Sequence, residues 1–216
     1  MHKGNRFKAL IFDLDGTLVD TSLDITNAVN AVLVKYGRST MSIEDVTDKV
    51  GQGITVLLQR VFPDCRAEEL KIYRDYFFKY YLEHIADYSA AYPGVVNILK
   101  QFSHLKLAVL TNKDEKMASK LLEKLDLKKH FAAVYGGGRP FPAKPSPDAL
   151  LAMLAELEIS PDSALMIGDS PADVNAGKNA GTATCAVIYG YRPEQELREF
   201  EADFYISNIA ELTEII

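Results

Sequence analysis

The sequence predicts an α/β fold: a parallel sheet with helices on both faces, interrupted after its first strand by a helical block. Three observations support this. Residues 9–12, Ala-Leu-Ile-Phe, form an unbroken apolar run that leads directly into Asp13-Leu14-Asp15-Gly16, the pattern of a fully buried parallel strand ending in a turn. From Thr17 to about Tyr88 the apolar spacing is helical. Beyond Tyr92-Pro93-Gly94, strand and helix patterns alternate, which argues for parallel strands joined by helical crossovers. Residues 1–17 and 88–216 are therefore expected to form the sheet core, and residues 18–87 an inserted helical cap domain.

In order along the chain, Thr21 with Asp24 resembles a capping box. Ile25, Ala28, Val29, Val32, Leu33 and Tyr36 follow at helical spacing until Gly37. A short helix is expected over 42–49. Gly51-Gln52-Gly53 interrupts, and a helix resumes over 54–62. The next helix, from 67 to about 88, carries Leu70, Tyr73, Phe77, Tyr81, Ile85 and Tyr88 on one face. An aromatic stripe at this spacing reads as core, not as a binding cage. After the break at Pro93-Gly94 come a helix over 95–102, a strand over 107–110, a helix with Met117, Leu121, Leu122 and Leu125 inward, and a strand over 132–135. Ser146-Pro147 opens a helix in the cap-then-first-turn arrangement. A strand over 164–167, a helix over 171–180 and strands over 184–188 and 204–206 complete the pattern.

Composition narrows the function classes. A chain of 216 residues with 48% hydrophobic and 25% charged residues buries a sizeable core and has the make-up of a soluble globular protein. No apolar run approaches the roughly 20 residues of a membrane span. The start, Met-His-Lys-Gly-Asn-Arg, lacks the longer apolar segment of a signal peptide, so a cytoplasmic protein without a membrane partner is expected. A net charge of −6 with no long basic run argues against nucleic acid. A small anionic substrate stays compatible, because local donors and a metal override net charge. Cys65 and Cys185 lie in no metal-ligand spacing and read as reduced, small apolar residues. Nothing in the sequence fixes an oligomeric state.

In a parallel sheet the residues just after each strand gather at one edge. The first strand delivers Asp13 and Asp15 to that edge, and the second Thr111-Asn112-Lys113. The third leads through Gly136-Gly137-Gly138 to Lys144-Pro145, and the fourth ends in Gly168-Asp169-Ser170. Two carboxylates as close as Asp13 and Asp15 disfavour each other by about 4 kcal/mol at an effective dielectric near 20, and a cation relieves this. Mg²⁺ prefers hard oxygen ligands; Asp13 and Asp169 offer carboxylates, and Asp15 its backbone carbonyl. Thr111 and Asn112 are expected to donate to phosphoryl oxygens, with Lys144 supplying positive charge. Each residue also has a plainer reading: Thr111-Asn112 as a helix cap, Lys144 as a solvated loop lysine, Asp169 as a turn residue. Their meeting at one edge favours a metal and phosphate site. Asp173 completes a capping box with Ser170 and is expected in a structural or outer-shell role. The three glycines lack a dinucleotide fingerprint and read as a flexible turn. None of the four histidines falls near a strand end, so histidine catalysis is not indicated.

These motifs resemble those of the haloacid dehalogenase superfamily of aspartate-nucleophile phosphatases, over essentially the whole chain. Asp13-Leu14-Asp15-Gly16-Thr17-Leu18-Val19-Asp20 is similar to its first motif and Thr111-Asn112-Lys113 to its second. Lys144-Pro145 with Ser146-Pro147 is similar to the third, and Gly168-Asp169-Ser170 followed by Asp173 to the fourth. The resemblance implies a Rossmann-like core with a small helical cap, and Mg²⁺-dependent phosphomonoester hydrolysis through an aspartyl-phosphate. In it Asp13 is the nucleophile, and Asp15 protonates the leaving alkoxide and then deprotonates water. Mg²⁺, Thr111, Asn112 and Lys144 offset charge on the transferring group. An aspartate at position 15 favours phosphoryl transfer over dehalogenation. Thr111-Asn112-Lys113 and Tyr189-Gly190-Tyr191 look most like phosphoglycolate phosphatases, which implies a small phosphorylated metabolite such as 2-phosphoglycolate as substrate. Specificity is expected from the cap, where Gly51-Gln52-Gly53 is either a substrate-facing loop or a plain break between helices. A sugar-phosphate mutase of the β-phosphoglucomutase kind, a pyrophosphatase and a non-catalytic phosphate-binding module stay open as alternatives.

Overall fold

The computed structural model describes residues 6–216; the first five residues, on which the expectation about a leader segment falls, lie outside the described part. Strand β1 (Ala9–Phe12) opens the chain, followed by the two-residue β2 (Val19–Asp20). Helices α1 (Ser22–Lys35), α2 (Ile43–Thr47), α3 (Gly53–Val61) and α4 (Ala67–Glu83) then run up to β3 (Ala90–Ala91). The alternating part comprises α5 (Val95–Gln101), β4 (Lys106–Asp114), α6 (Glu115–Lys124), β5 (Ala133–Gly137) and α7 (Asp148–Glu156). It continues with β6 (Ala164–Gly168), α8 (Pro171–Ala180), β7 (Ala183–Val187), α9 (Glu194–Arg198), β8 (Phe204–Ile206) and α10 (Leu212–Ile215).

Among the described residues, six strands form one sheet in the order β5-β4-β1-β6-β7-β8, every pair parallel. β1 is central, with Ile11 opposite Ala108 on one side and Met166 on the other. This position explains its unbroken apolar run, because both faces are covered. Leu10 and Phe12 pack with Leu121 and Leu122 of α6 and with Ile98 and Leu99 of α5, while Ala9 and Ile11 pack on the opposite face with Leu150, Met153 and Leu154 of α7. The carboxyl ends of β1, β4, β5 and β6 therefore share one rim.

β2 and β3 pair antiparallel, Val19 opposite Ala91 and Asp20 opposite Ala90, and the four helices lie between them in the chain. Asp24, 1% exposed, reinforces this closure: its carboxylate accepts from the backbone N–H groups of Tyr88 and Ser89 and from Ser89 Oγ at 2.6 Å.

Three local expectations are corrected. Thr21 and Asp24 form no capping box, because both side chains are taken by distant partners. α4 stops at Glu83 instead of reaching Tyr88, and the N–H groups of Tyr88 and Ser89 donate to Asp24. β4 runs to Asp114, four residues past the expected end, because Asp114 still pairs with Gly137 of β5 across an irregularity. α1 ends as the glycine at position 37 requires, with φ +71° there and Arg38 N–H closing on Leu33 O. Among the described residues no helix is long and apolar enough to cross a membrane.

Candidate active site

Asp13 directly follows β1, and its N–H donates to Ile167 O at 2.8 Å, so the chain stays extended until it turns at Gly16, φ +83°. Asp169 follows β6, and Asp173 sits in the first turn of α8. Lys144, on the segment between β5 and α7, places Nζ 2.9 Å from Asp13 Oδ1, 2.6 Å from Asp173 Oδ1 and 2.7 Å from Leu110 O. Three N–H groups thus face three partners. Asp169 accepts from Thr17 Oγ1 at 3.3 Å and from Tyr191 N–H at 2.8 Å.

Close backbone approach makes room for these acids. A Cβ at Gly16 would stand 2.3 Å from Asp169 Oδ2, one at Gly190 2.3 Å from Asp169 Cβ, and one at Gly168 2.2 Å from Asp173 Cγ. Only glycine fits such contacts without displacing the carboxylates.

The electrostatics are unbalanced. One carboxylate oxygen each from Asp13, Asp169 and Asp173 lies within 4.8 Å of the others, in a buried cluster faced by one ammonium. Burial, and then the charge of Asp173, push the Asp13 carboxyl up to about 7 against the pull of Lys144. Burial and the neighbouring Asp13 and Asp173 hold Asp169 well above the usual carboxylate range. Burial alone would push Lys144 down, but the two carboxylates keep it above its ordinary value. Asp13 Oδ1 has no hydrogen-bond donor among the described residues, because its ion pair with Lys144 is close yet misaligned. A buried, unsatisfied carboxylate oxygen among hard oxygen donors fits a divalent cation.

Asp15 points elsewhere. Thr21 Oγ1 donates to its Oδ1 at 2.7 Å, and Lys113 Nζ lies 2.9 and 3.2 Å from its two oxygens. Tyr191 OH meets Thr21 Oγ1 at 2.9 Å and accepts from Thr21 N–H at 2.8 Å. The side chain of Asp15 is therefore held by Lys113 of β4 and by Thr21 at the start of α1, and Tyr191, after β7, holds Thr21 in turn.

These groups surround a cavity of about 60 Å³, room for about four water-sized groups at 10–15 Å³ each. Asp13, Asp15, Thr111 and Asp169 are among its polar lining residues, and Ile25, Leu57, Phe77 and Met117 among its apolar ones. Thr111 Oγ1 accepts from Lys113 N–H at 3.1 Å, which leaves its own O–H proton to donate.

The structure distributes the expected residues unevenly. Gly51 and Gly53 reach the cavity wall, whereas Gln52 is exposed and its side-chain oxygen accepts from Arg60 at 2.7 Å. Asn112 borders the cavity, but Nδ2 donates to Gly51 O and Lys144 O and Oδ1 accepts from Lys144 N–H. Its amide is committed to holding two loops together and has no free donor for a phosphoryl oxygen. Lys144 stands outside the wall, paired to the acids instead. Asp173 does form the expected capping box with Ser170, and it also joins the acidic cluster through its other oxygen. Tyr81, read from its spacing as core, is buried but also borders the cavity and accepts from Lys113 at 2.7 Å. Thr21 carries only a capping signal in the sequence, which points to α1 and not to this site, and Arg192 carries none. Tyr191 has one, its place in Tyr189-Gly190-Tyr191.

A parallel sheet that brings Asp13, Thr111 and Asp169 around such a cavity, with Lys144 paired to Asp13 behind its wall, defines a class. The chain belongs to the haloacid dehalogenase-like hydrolases, whose family profile matches residues 10–187. It is 39% identical to a phosphoglycolate phosphatase of Chromobacterium violaceum over 97% of this chain and 96% of that one. It is 36% identical to a phosphoglycolate phosphatase of Aquifex aeolicus, with the same coverage of both chains. The fold matches the crystal structure of a protein described as a predicted phosphoglycolate phosphatase from Haemophilus somnus with a TM-score of 0.93 and 28% identity, over 98% of this chain and 99% of that one.

Proposed function

We propose that the chain hydrolyses a small phosphomonoester, such as 2-phosphoglycolate, with Mg²⁺ as cofactor and Asp13 as the phosphoryl acceptor. The observation that carries this reading is Asp13 itself: a strand-end carboxylate with one buried oxygen unsatisfied, bordering a small cavity beside Thr111. Asp13 attacks phosphorus as the ester oxygen leaves, forming an aspartyl-phosphate that water then cleaves. Asp15, oriented by Thr21, gives a proton to the leaving alkoxide and takes one from the attacking water. Thr111 donates its hydroxyl proton to a phosphoryl oxygen, and Lys144 stabilises Asp13 electrostatically from outside the wall. Asp13 and Asp169, with Asp173 close by and the Asp15 carbonyl as a further ligand, would hold Mg²⁺, which supplies positive charge against the phosphoryl oxygens. The helical block acts as a cap, with the main chain of Gly51 and Gly53 closing the cavity over a small alcohol group.

The test is a phosphate-release assay on a panel of 2-phosphoglycolate, other phosphomonoesters, a sugar phosphate and pyrophosphate. Release of inorganic phosphate from a monoester, lost on chelation and absent in Asp13→Asn, is expected. No release from any monoester, or conversion of a sugar phosphate to its isomer without phosphate release, contradicts the reading.

A further inference from the structure

Among the described residues, two cations line the cavity, Lys113 and Arg192. Arg192 is committed to main-chain carbonyls: Nη1 donates to Asp48 O at 2.9 Å and Nη2 to Val50 O. Lys144, outside the wall, hydrogen-bonds Asp173 and Leu110 O and pairs by charge with Asp13. Lys113 differs from both. Its side chain is 7% exposed, and its ammonium faces two residues, the Asp15 carboxylate and the Tyr81 hydroxyl, while lying 4.5 Å from the Tyr81 ring centroid. Asp15 Oδ1 and Oδ2, 2.9 and 3.2 Å away on one carboxylate, lie in nearly one direction and share one N–H, and Tyr81 takes a second, which leaves the third N–H for a further acceptor. Ile25, Leu57, Phe77 and Met117 contribute apolar surface to the same lining.

We propose that Lys113 is the specificity determinant of this site: it binds a carboxylate carried by the alcohol part of the phosphomonoester. This rests on the phosphatase reading above. An anion entering so small a cavity meets a buried ammonium with a donor to give, and a charge-assisted hydrogen bond there is stronger than in water. A neutral alcohol of the same size leaves that donor unanswered, which is how a site built around a polar group rejects a substrate that lacks it. Lys113 thereby reads the end of the substrate remote from phosphorus.

The test compares kcat/KM for 2-phosphoglycolate and ethyl phosphate, which differ by a carboxylate in place of a methyl group. The wild type is expected to prefer 2-phosphoglycolate, and Lys113→Gln and Lys113→Met are expected to reduce that ratio by at least about tenfold. Lys113→Arg, which keeps a cation, retains most of it. A lysine that only positions Asp15 lowers both substrates alike, so an unchanged ratio in the folded Gln or Met variant overturns the proposal. A wild type that hydrolyses both esters without preference overturns it and leaves the phosphatase reading standing. A wild type that hydrolyses neither of the two but releases phosphate from another monoester overturns the proposal alone, and release from no monoester overturns both.

Discussion

Thr21 Oγ1 donates a 2.7 Å hydrogen bond to Asp15 Oδ1. The hydroxyl expected to cap α1 instead fixes the carboxylate assigned to proton transfer. Thr21→Val keeps the shape and removes the donor. We expect a loss of about tenfold in kcat, with a stability change of only about 1 kcal/mol, read by steady-state kinetics and thermal unfolding. An unchanged kcat would mean that Lys113 alone orients Asp15.

Asp24 is a stability residue. It satisfies the N–H groups of Tyr88 and Ser89 where the chain returns from the helical block. Asp24→Ala leaves those donors buried without a partner and should destabilise the fold by about 3 kcal/mol. Urea unfolding measures this, and a midpoint equal to that of wild type contradicts the role.

Gly190 tests the acid cluster without touching an acid. A Cβ there overlaps Asp169, so Gly190→Ala must displace the carboxylate. Mg²⁺ affinity, measured by calorimetric titration of the folded variant, should weaken by about tenfold or more, the usual cost of disturbing the support of a metal ligand. Wild-type affinity would place the metal elsewhere.

Arg192 clasps the loop over the cavity through Asp48 O and Val50 O, and Asn112 holds the same loop through Gly51 O. Arg192→Ala frees one clasp. The expectation is a rise in KM of about tenfold with a smaller change in kcat, partly restored by lysine. Equal losses in both parameters would show a different role for the guanidinium.

The sequence discloses what depends on local pattern and conceals what depends on distant partners. β1 is legible because a central parallel strand is apolar on both faces, and Asp13 and Asp169 are legible because they end such strands. The extension of β4 is hidden because Thr111-Asn112-Lys113-Asp114 is polar; only pairing of Asp114 with Gly137 makes it strand. Asn112 has the chemistry of a phosphoryl donor, but main-chain atoms of Gly51 and Lys144 claim it. Thr21 and Tyr191 meet across 170 residues of sequence, a contact that capping spacing cannot reveal. Tyr81 follows core periodicity because the inward face of α4 packs into the core and borders the cavity at once.

The central claim is that Asp13 carries the phosphoryl group, and the most direct measurement is acid-quenched single turnover with Mg²⁺ and 2-phosphoglycolate, followed by mass spectrometry of the peptide containing Asp13. The account predicts a transient phosphoryl adduct on that aspartate in the wild type, and neither adduct nor turnover in folded Asp13→Asn. Undiminished phosphate release by Asp13→Asn would contradict it.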